Sequence, residues 1–188
     1  MRQLATLHTQ RLILRPFEIT DATDVQRLAG DIAVADTTLN IPYPYEDGMA
    51  EQWIATHQPK FEAGELVNFA IIIRTNGNLA GAIGLVVNRR FDNAELGYWI
   101  GRQYWKHGYC TEAGHAVLNY GFTELCLNRI HASHLSRNPA SGRVMEKLGM
   151  TMEGLLRQHV KKWDKYEDCV EYGILRQEWM KSGKQLQY

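Results

Sequence analysis

The sequence lacks an excess of charge of either sign, and it lacks a long apolar run. Lysine plus arginine and aspartate plus glutamate number 21 each, so the formal net charge at pH 7 is +0. This balance argues against a large basic face for nucleic acid. A membrane-spanning helix needs about 18 consecutive apolar residues, and no stretch of the sequence is that long. The first apolar run is also too short for a signal peptide. We therefore expect neither nucleic acid nor a membrane as a partner.

Cysteine is also scarce, with three widely separated residues, Cys110, Cys126 and Cys169. They form no Cys-X-X-Cys pair and no zinc spacing, so the sequence predicts no metal site. An odd number of scattered thiols is typical of a reducing compartment, which favours a cytoplasmic protein. With 188 residues and no linker, repeat or low-complexity tract, one domain spanning residues 1–188 is expected.

Hydrophobic periodicity predicts a mixed fold in which strands and helices alternate. Strands are expected at 11–15, 68–74, 79–88, 94–100 and 129–135, with two more meeting near 163–165. Helices are expected from Thr20 to Gly30, from Met49 onward with a break or kink at Pro59, at 111–125 and at 140–149. Asn76-Gly77 is a strong hairpin signal. This order predicts an α+β protein, a mixed sheet with helices on its faces.

The segment YWKHGYCTEAG, residues 104–114, connects a predicted strand to the predicted helix at 111–125. A helix N-terminus offers unpaired backbone N–H groups and a partial positive charge, which suit an anion. Gly108, three residues before the predicted helix, allows close approach of a ligand and a positive φ. No Walker-type lysine-serine pair or metal ligand follows, which favours a diphosphate that is held rather than cleaved. Taken alone, Gly108 is better explained as a tight strand-to-helix connection, because glycine before a helix is common.

A second segment, RNPASGRVMEKLGM at 137–150, begins another predicted helix. Asn138 and Ser141 bracket its start, and Pro139 stands where a missing N–H costs little. Taken alone, these residues are ordinary helix caps.

Together and in chain order, five segments resemble the GNAT superfamily of acetyl-CoA-dependent N-acetyltransferases: TQRLILRPF, PYPYEDG, AELGYWI, YWKHGYCTEAG and NPASGRVMEKLGM. The branch they resemble most includes the acetyltransferases of ribosomal protein N-termini. The resemblance implies a three-layer fold with a central twisted, mostly antiparallel sheet and helices on both faces. It also implies that the strands at 94–100 and 129–135 splay apart and that acetyl-CoA is the cosubstrate, with no metal.

The resemblance further implies how coenzyme A is held. Its diphosphate would lie on the backbone amides of Lys106, His107, Gly108, Tyr109, Cys110 and Thr111. The pantetheine arm would pair with the backbone near Trp99 and Ile100 and contact Asn138, while Arg143 would reach the adenosine end. Trp105 and Lys106 depart from the superfamily pattern, which has glutamine or arginine and often glycine there.

Acetyl transfer to an amine needs a neutral amine, a donor for the oxyanion and support for the leaving thiolate. The resemblance implies Glu95 as the base, directly or through water, and a backbone N–H of the splayed strand, within Tyr98 to Ile100, is expected as the oxyanion donor. Many members use a helical tyrosine for the thiolate, but Met145 stands at that position, which leaves Ser141. Glu95 could equally be an ordinary surface or salt-bridged carboxylate.

Alternatives remain open from the sequence alone. Cys110 beside His107 and His115 could act as a nucleophile, since a helix N-terminus acidifies a thiol, and a non-catalytic module that binds coenzyme A is also compatible. The acceptor is expected between PYPYEDG and the final hairpin KKWDKYED. It is either a protein N-terminal α-amine or a small amine such as a polyamine, amino acid or aminoglycoside. A monomer and a homodimer are both permitted.

Overall fold

The computed structural model describes residues 3–183, which form an eight-stranded sheet in the order β1-β2-β3-β4-β5-β6-β8-β7. The strands are β1 Leu7–His8, β2 Leu12–Arg15, β3 Leu66–Ile73, β4 Leu79–Asn88, β5 Asn93–Ile100, β6 Arg129–Leu135, β7 Thr151–Lys162 and β8 Lys165–Leu175. The helices are α1 Ala22–Ala29, α2 Ile32–Ala35, α3 Met49–Ala55, α4 His57–Glu62, α5 Tyr109–Thr123, α6 Pro139–Leu148 and α7 Arg176–Lys181.

The predicted fold class is confirmed, since helices cover both faces of a sheet that is antiparallel except between β5 and β6. The predicted strands 79–88 and 129–135 agree with β4 and β6 in both bounds. The apolar run of β4 is buried along most of its length, as expected of a strand covered on both faces, whereas burial alternates along most of β6.

Several helix boundaries were predicted wrongly. Helix α5 begins at Tyr109, not residue 111, so Gly108 is its N-cap residue rather than a loop residue three positions earlier. The helix after Met49 breaks at Thr56, and Pro59 lies in the first turn of α4, where a proline loses no helical hydrogen bond. The short elements α2 and β1 and the terminal helix α7 were not predicted, because short elements carry little periodicity.

Parallel pairing between β5 and β6 is brief. Their ladder contains three register pairs, from Asn93↔Arg129 to Glu95↔His131, although both strands continue for several residues. Beyond Glu95 the two strands diverge, and this gap is called the fork below. The predicted splay of the strands at 94–100 and 129–135 is therefore present in the structure.

Two apolar cores lie on opposite faces of the sheet. The larger one packs α5 and α6 against alternate strand residues, including Leu96 and Ile130. The smaller one packs α1 and α3 against the other face, including Trp99. Because side chains alternate along a strand, Tyr98 of β5 lies on the α5 and α6 face, whereas Glu95 lies on the α1 and α3 face.

Candidate active site

The connection from β5 to α5 leaves several backbone amides free of helical partners. Gly108 has a φ of 79°, a left-handed conformation that favours glycine. The first helical bond of α5 runs from Glu112 N to Gly108 O at 3.0 Å. The N–H groups of Tyr109, Cys110 and Thr111 are therefore not used within the helix, and together with the helix dipole they form an anion-binding end.

This loop is fixed by Arg11 of the β1–β2 connection. Arg11 Nε donates to Glu112 Oε2 at 2.6 Å, and a second guanidinium nitrogen donates to the His107 carbonyl at 3.0 Å. Thr9 Oγ1 donates to the same carboxylate at 2.6 Å. Burial raises the pKa of Glu112, but the bonds from Thr9 and Arg11 outweigh it, so the pKa lies below its usual value. This carboxylate thus stays ionised and holds the loop, a role for which the local sequence carries no signal.

The other residues of the loop differ in exposure. Lys106, at a φ of 64°, and His107 are exposed. Cys110 is partly buried, and burial raises the pKa of its thiol above the ordinary value. Since the thiolate is the nucleophilic form, this environment does not favour a covalent acyl-cysteine.

Main-chain groups of β5 point into the fork at alternate residues. Gly101 N donates to Ala80 O at 2.9 Å, and bonded pairs alternate along an antiparallel ladder. The backbone of Trp99 therefore points toward β4, whereas the N–H and C=O groups of Tyr98 and Ile100 point into the fork. The Ile100 carbonyl already accepts a 2.7 Å bond from Trp105 Nε1. Of the two predicted backbone contacts, only Ile100 faces the gap, and Trp99 contributes a buried ring.

The two predicted catalytic residues lie on opposite faces of the fork. Glu95 is exposed beside the last β5–β6 pair, and its side chain forms no hydrogen bond or ion pair within residues 3–183. Ser141 lies in the first turn of α6 on the other face, and its Oγ is 2.8 Å from the Tyr98 hydroxyl. A group lying in the fork is thus open to a carboxylate from one side and to two hydroxyls from the other.

The remaining predicted residues of α6 are distributed around its start. The Asn138 side chain donates to the Thr37 carbonyl at 3.4 Å, so it ties the helix start to a neighbouring loop. Arg143 is exposed. Met145 is buried with 1% of its surface exposed and fills the core, so no hydroxyl comes from that position.

An irregular segment, residues 36–43, lies beside the start of α6 and is called the strap. Arg137 donates to the Asp36 carboxylate at 2.7 Å and to Glu167 at 3.0 Å. Lys162, only 6% exposed, donates to the carbonyls of Leu39 at 3.3 Å and Ile41 at 3.1 Å. The strap is therefore tied to both the β6–α6 connection and the tip of the β7–β8 hairpin.

An aromatic cluster lies on the α1 and α3 face of the sheet. The rings of Phe17 and Trp53 lie 5.0 Å apart, and Trp53 lies 4.4 Å from His57. His57 Nε2 is 3.0 Å from Asn68 Nδ2. Burial, with a smaller contribution from Lys60, lowers the pKa of His57 to about 4, so the ring is neutral at pH 7.

Within residues 3–183, no group of three or more histidine, cysteine, aspartate or glutamate side chains is placed to hold a metal ion. No helix among the same residues is both long enough and apolar enough to span a membrane.

Comparison with known proteins identifies the family. A sequence profile described as an acetyltransferase (GNAT) domain matches residues 11–151. The chain belongs to the GNAT family. The uncharacterized N-acetyltransferase p20 of Bacillus licheniformis is 32% identical over 178 residues, which cover 94% of this chain and 99% of that protein.

Solved structures of GNAT proteins agree with this membership. A GNAT acetyltransferase from Bacillus anthracis has a TM-score of 0.81 and 28% identity, covering 92% of this chain and 99% of its own. RimL, a ribosomal L7/L12 α-N-protein acetyltransferase solved with coenzyme A, has a TM-score of 0.84 but 15% identity, covering 91% and 98%. At that identity RimL shows the shared fold alone.

This GNAT protein is an acetyl-CoA-dependent N-acetyltransferase. Its residues suit the cosubstrate, because free amides and a helix dipole meet at Gly108, and the main-chain groups of Tyr98 and the N–H of Ile100 line the fork. An extended amide-bearing arm can bond such groups as a strand would.

Proposed function

We propose that the enzyme, as one domain spanning residues 1–188, transfers an acetyl group from acetyl-CoA to the α-amine of a protein N-terminus. The amine attacks directly while both substrates are bound. The observation that carries this proposal is the fork, with Glu95 on one face and Ser141 on the other. Such an arrangement lets the amine approach from one side while sulfur leaves toward the other.

Cosubstrate binding is assigned mainly to backbone groups. The diphosphate lies on the amides from Lys106 to Thr111, and the pantetheine arm runs along Tyr98 and Ile100. Asn138 lies at the start of α6 close to this arm, and the exposed Arg143 is available to the adenosine end. Trp99 supports β5 by packing only.

Glu95 accepts a proton from the amine, directly or through one water. It stands where the strands part and has no ionic partner within residues 3–183 that would occupy its oxygens. Ser141 donates a hydrogen bond to the leaving sulfur. Cys110 takes no covalent part, so a Cys110→Ala variant should keep its activity.

The acceptor class is inferred from the rim of the cleft. Tyr43 of the strap and Trp163 at the hairpin tip are 51% and 44% exposed, and their rings lie 6.0 Å apart. Exposed aromatic side chains are typical of surfaces that bind polypeptides. A small amine that reaches the fork would leave this rim unused.

The test is a panel of acceptors incubated with enzyme and acetyl-CoA and read by mass spectrometry. Peptides with a free N-terminus should gain one acetyl group, whereas the same peptides with a blocked N-terminus but free lysines should not. Glu95→Gln should reduce turnover about a hundredfold. The matched control is Glu171→Gln, which removes an equal charge from the same sheet face and should retain most activity.

A small cationic amine is the second candidate. Glu95 and Glu171 lie on the same sheet face and form no ion pair within residues 3–183, so they would attract a polyamine. Turnover of a polyamine, but of no peptide, would replace the N-terminal acceptor with this class. Binding of coenzyme A without turnover on any amine would instead indicate a non-catalytic module. A monomer and a homodimer are both compatible with the proposal.

A further inference from the structure

Tyr98 makes a contact that the proposed mechanism has not used. Its hydroxyl is 2.8 Å from Ser141 Oγ and 3.1 Å from the Ser141 carbonyl oxygen. This bond spans from β5 to the first turn of α6, across one face of the fork. The ten residues of α6 include no tyrosine, so strand β5 supplies the phenol nearest to the serine.

The two hydroxyl groups carry two protons and can share them in two ways. In the first arrangement, Tyr98 donates its proton to the Ser141 carbonyl, and Ser141 Oγ donates its own proton to Tyr98. The serine proton is then not available to a third group. In the second, Tyr98 donates to Ser141 Oγ, and the serine proton is free for a third group. Rotation of the two hydroxyl hydrogens is enough to exchange these arrangements.

The surroundings keep the phenol protonated. Burial, and secondarily the nearby Cys110, raise the pKa of Tyr98 well above its ordinary value, although the bond with Ser141 opposes this. Tyr98 therefore remains a neutral hydrogen-bond donor throughout the physiological range and adds no ionisation of its own to a pH profile.

We propose that Tyr98 is a positioning residue for Ser141: its hydroxyl donates to Ser141 Oγ and so directs the serine proton toward the leaving sulfur. This inference rests on the proposed acetyl transfer. In that step the C–N bond forms, the C–S bond breaks and its electron pair goes to sulfur. The nitrogen gives one proton to Glu95, and the thiolate takes a proton from solvent after release. Ser141 and Tyr98 keep their protons and stabilise sulfur through a chain of two hydrogen bonds.

The test is a double-mutant cycle on Tyr98→Phe and Ser141→Ala. Each variant should lower kcat about tenfold, the value of one hydrogen bond made to the developing charge. The double variant should be no slower than Ser141→Ala alone, because Tyr98 acts only through the serine. Calorimetry with coenzyme A should give a Kd within about twofold of the wild type for all three.

Tyr172→Phe is the matched control. Tyr172 is also a strand tyrosine that bonds to α6, through Glu146 Oε1 at 3.3 Å, but Glu146 lies more than one helical turn after Ser141. This variant should keep kcat. A comparable loss of kcat there would mean that both tyrosines merely hold α6, and it would overturn the inference.

The remaining outcomes distinguish a failure of the role of Tyr98 from a failure of the proposed function. An unchanged kcat for Tyr98→Phe beside an impaired Ser141→Ala would overturn the role of Tyr98 and leave the acetyltransferase mechanism intact. Multiplying losses in the double variant would likewise overturn it. If the wild type releases no thiol from acetyl-CoA with any amine, the proposed function fails first, and this inference fails with it.

Discussion

The two walls of the active-site cleft are held in different ways. The wall assigned to coenzyme A presents backbone amides from a regular helix start, with Gly108 as its N-cap. The wall assigned to the acceptor is the strap, an irregular segment tied by side chains of Arg137, Asn138 and Lys162. Backbone recognition tolerates changes of side chain, whereas the strap depends on a few long side chains. Substitutions can therefore alter the acceptor while the cosubstrate stays the same.

Of the three changes that test this comparison, the largest effect is expected from a substitution in the wall assigned to coenzyme A. Gly108→Ala should weaken coenzyme A binding at least about tenfold, because a Cβ disfavours a positive φ by about 1–2 kcal/mol and relaxation of the loop would turn the amides away. Gly77→Ala is the control, since Gly77 also has a positive φ, 73°, in the β3–β4 turn with open space around it. It should lose similar stability in denaturant unfolding yet keep its Kd. An equal loss of affinity for coenzyme A in both variants would contradict the assignment of the diphosphate to the amides around Gly108.

A smaller effect is expected from loosening the acceptor wall. Lys162→Met leaves the carbonyls of Leu39 and Ile41 without their donor, which should cost about 1–3 kcal/mol of unfolding free energy. The acceptor KM should rise while the Kd for coenzyme A stays constant. Lys161→Met is the control, because Lys161 is exposed and, among residues 3–183, its one ion pair is with Asp164, a kind of contact worth less than about 1 kcal/mol. A changed Kd for coenzyme A in Lys162→Met would remove the distinction between the walls.

The smallest expected effect is the change in unfolding free energy with pH that arises from His57. The pKa of His57 is lowered from 6.5 to about 4 in the folded protein, so the unfolded chain binds more protons between these values. Its contribution to stability is therefore complete above about pH 6.5 and is lost as pH falls toward 4. Lowering pH from 7.5 to 5.5 should cost about 1 kcal/mol through this group. His57→Asn, which does not titrate, should show that much less pH dependence in denaturant unfolding, and an identical slope would place the dependence elsewhere.

The sequence predicted local structure better than it predicted contacts between distant segments. The apolar run of β4, the alternating pattern of β6 and the Asn76-Gly77 turn were enough for strand bounds, because period and turn chemistry are local. The start of α5 was misplaced by two residues, since Thr111-Glu112 looked like a cap and the glycine before Tyr109 did not. In the structure Glu112 binds Arg11 across 101 positions of the chain.

The site shows the same limit. Glu95 and Ser141 were chosen because the sequence resembles a family, and this choice stays a prediction. The bond from Tyr98 to Ser141, 43 positions apart, has no signal in composition or spacing. The burial of Lys162 is equally invisible, because a lysine in a charged hairpin tip is ordinarily exposed. Both arise from how β5, α6 and the final hairpin converge in space.

The brief parallel ladder between β5 and β6 has a further consequence. A sheet normally exposes unsatisfied strand edges only at its outer margins, where other proteins can add to them. Here such an edge lies in the interior, and the bridge from Tyr98 to Ser141 crosses it on one face. An extended segment that carries amide groups can therefore add to the sheet at an interior edge rather than at its margin.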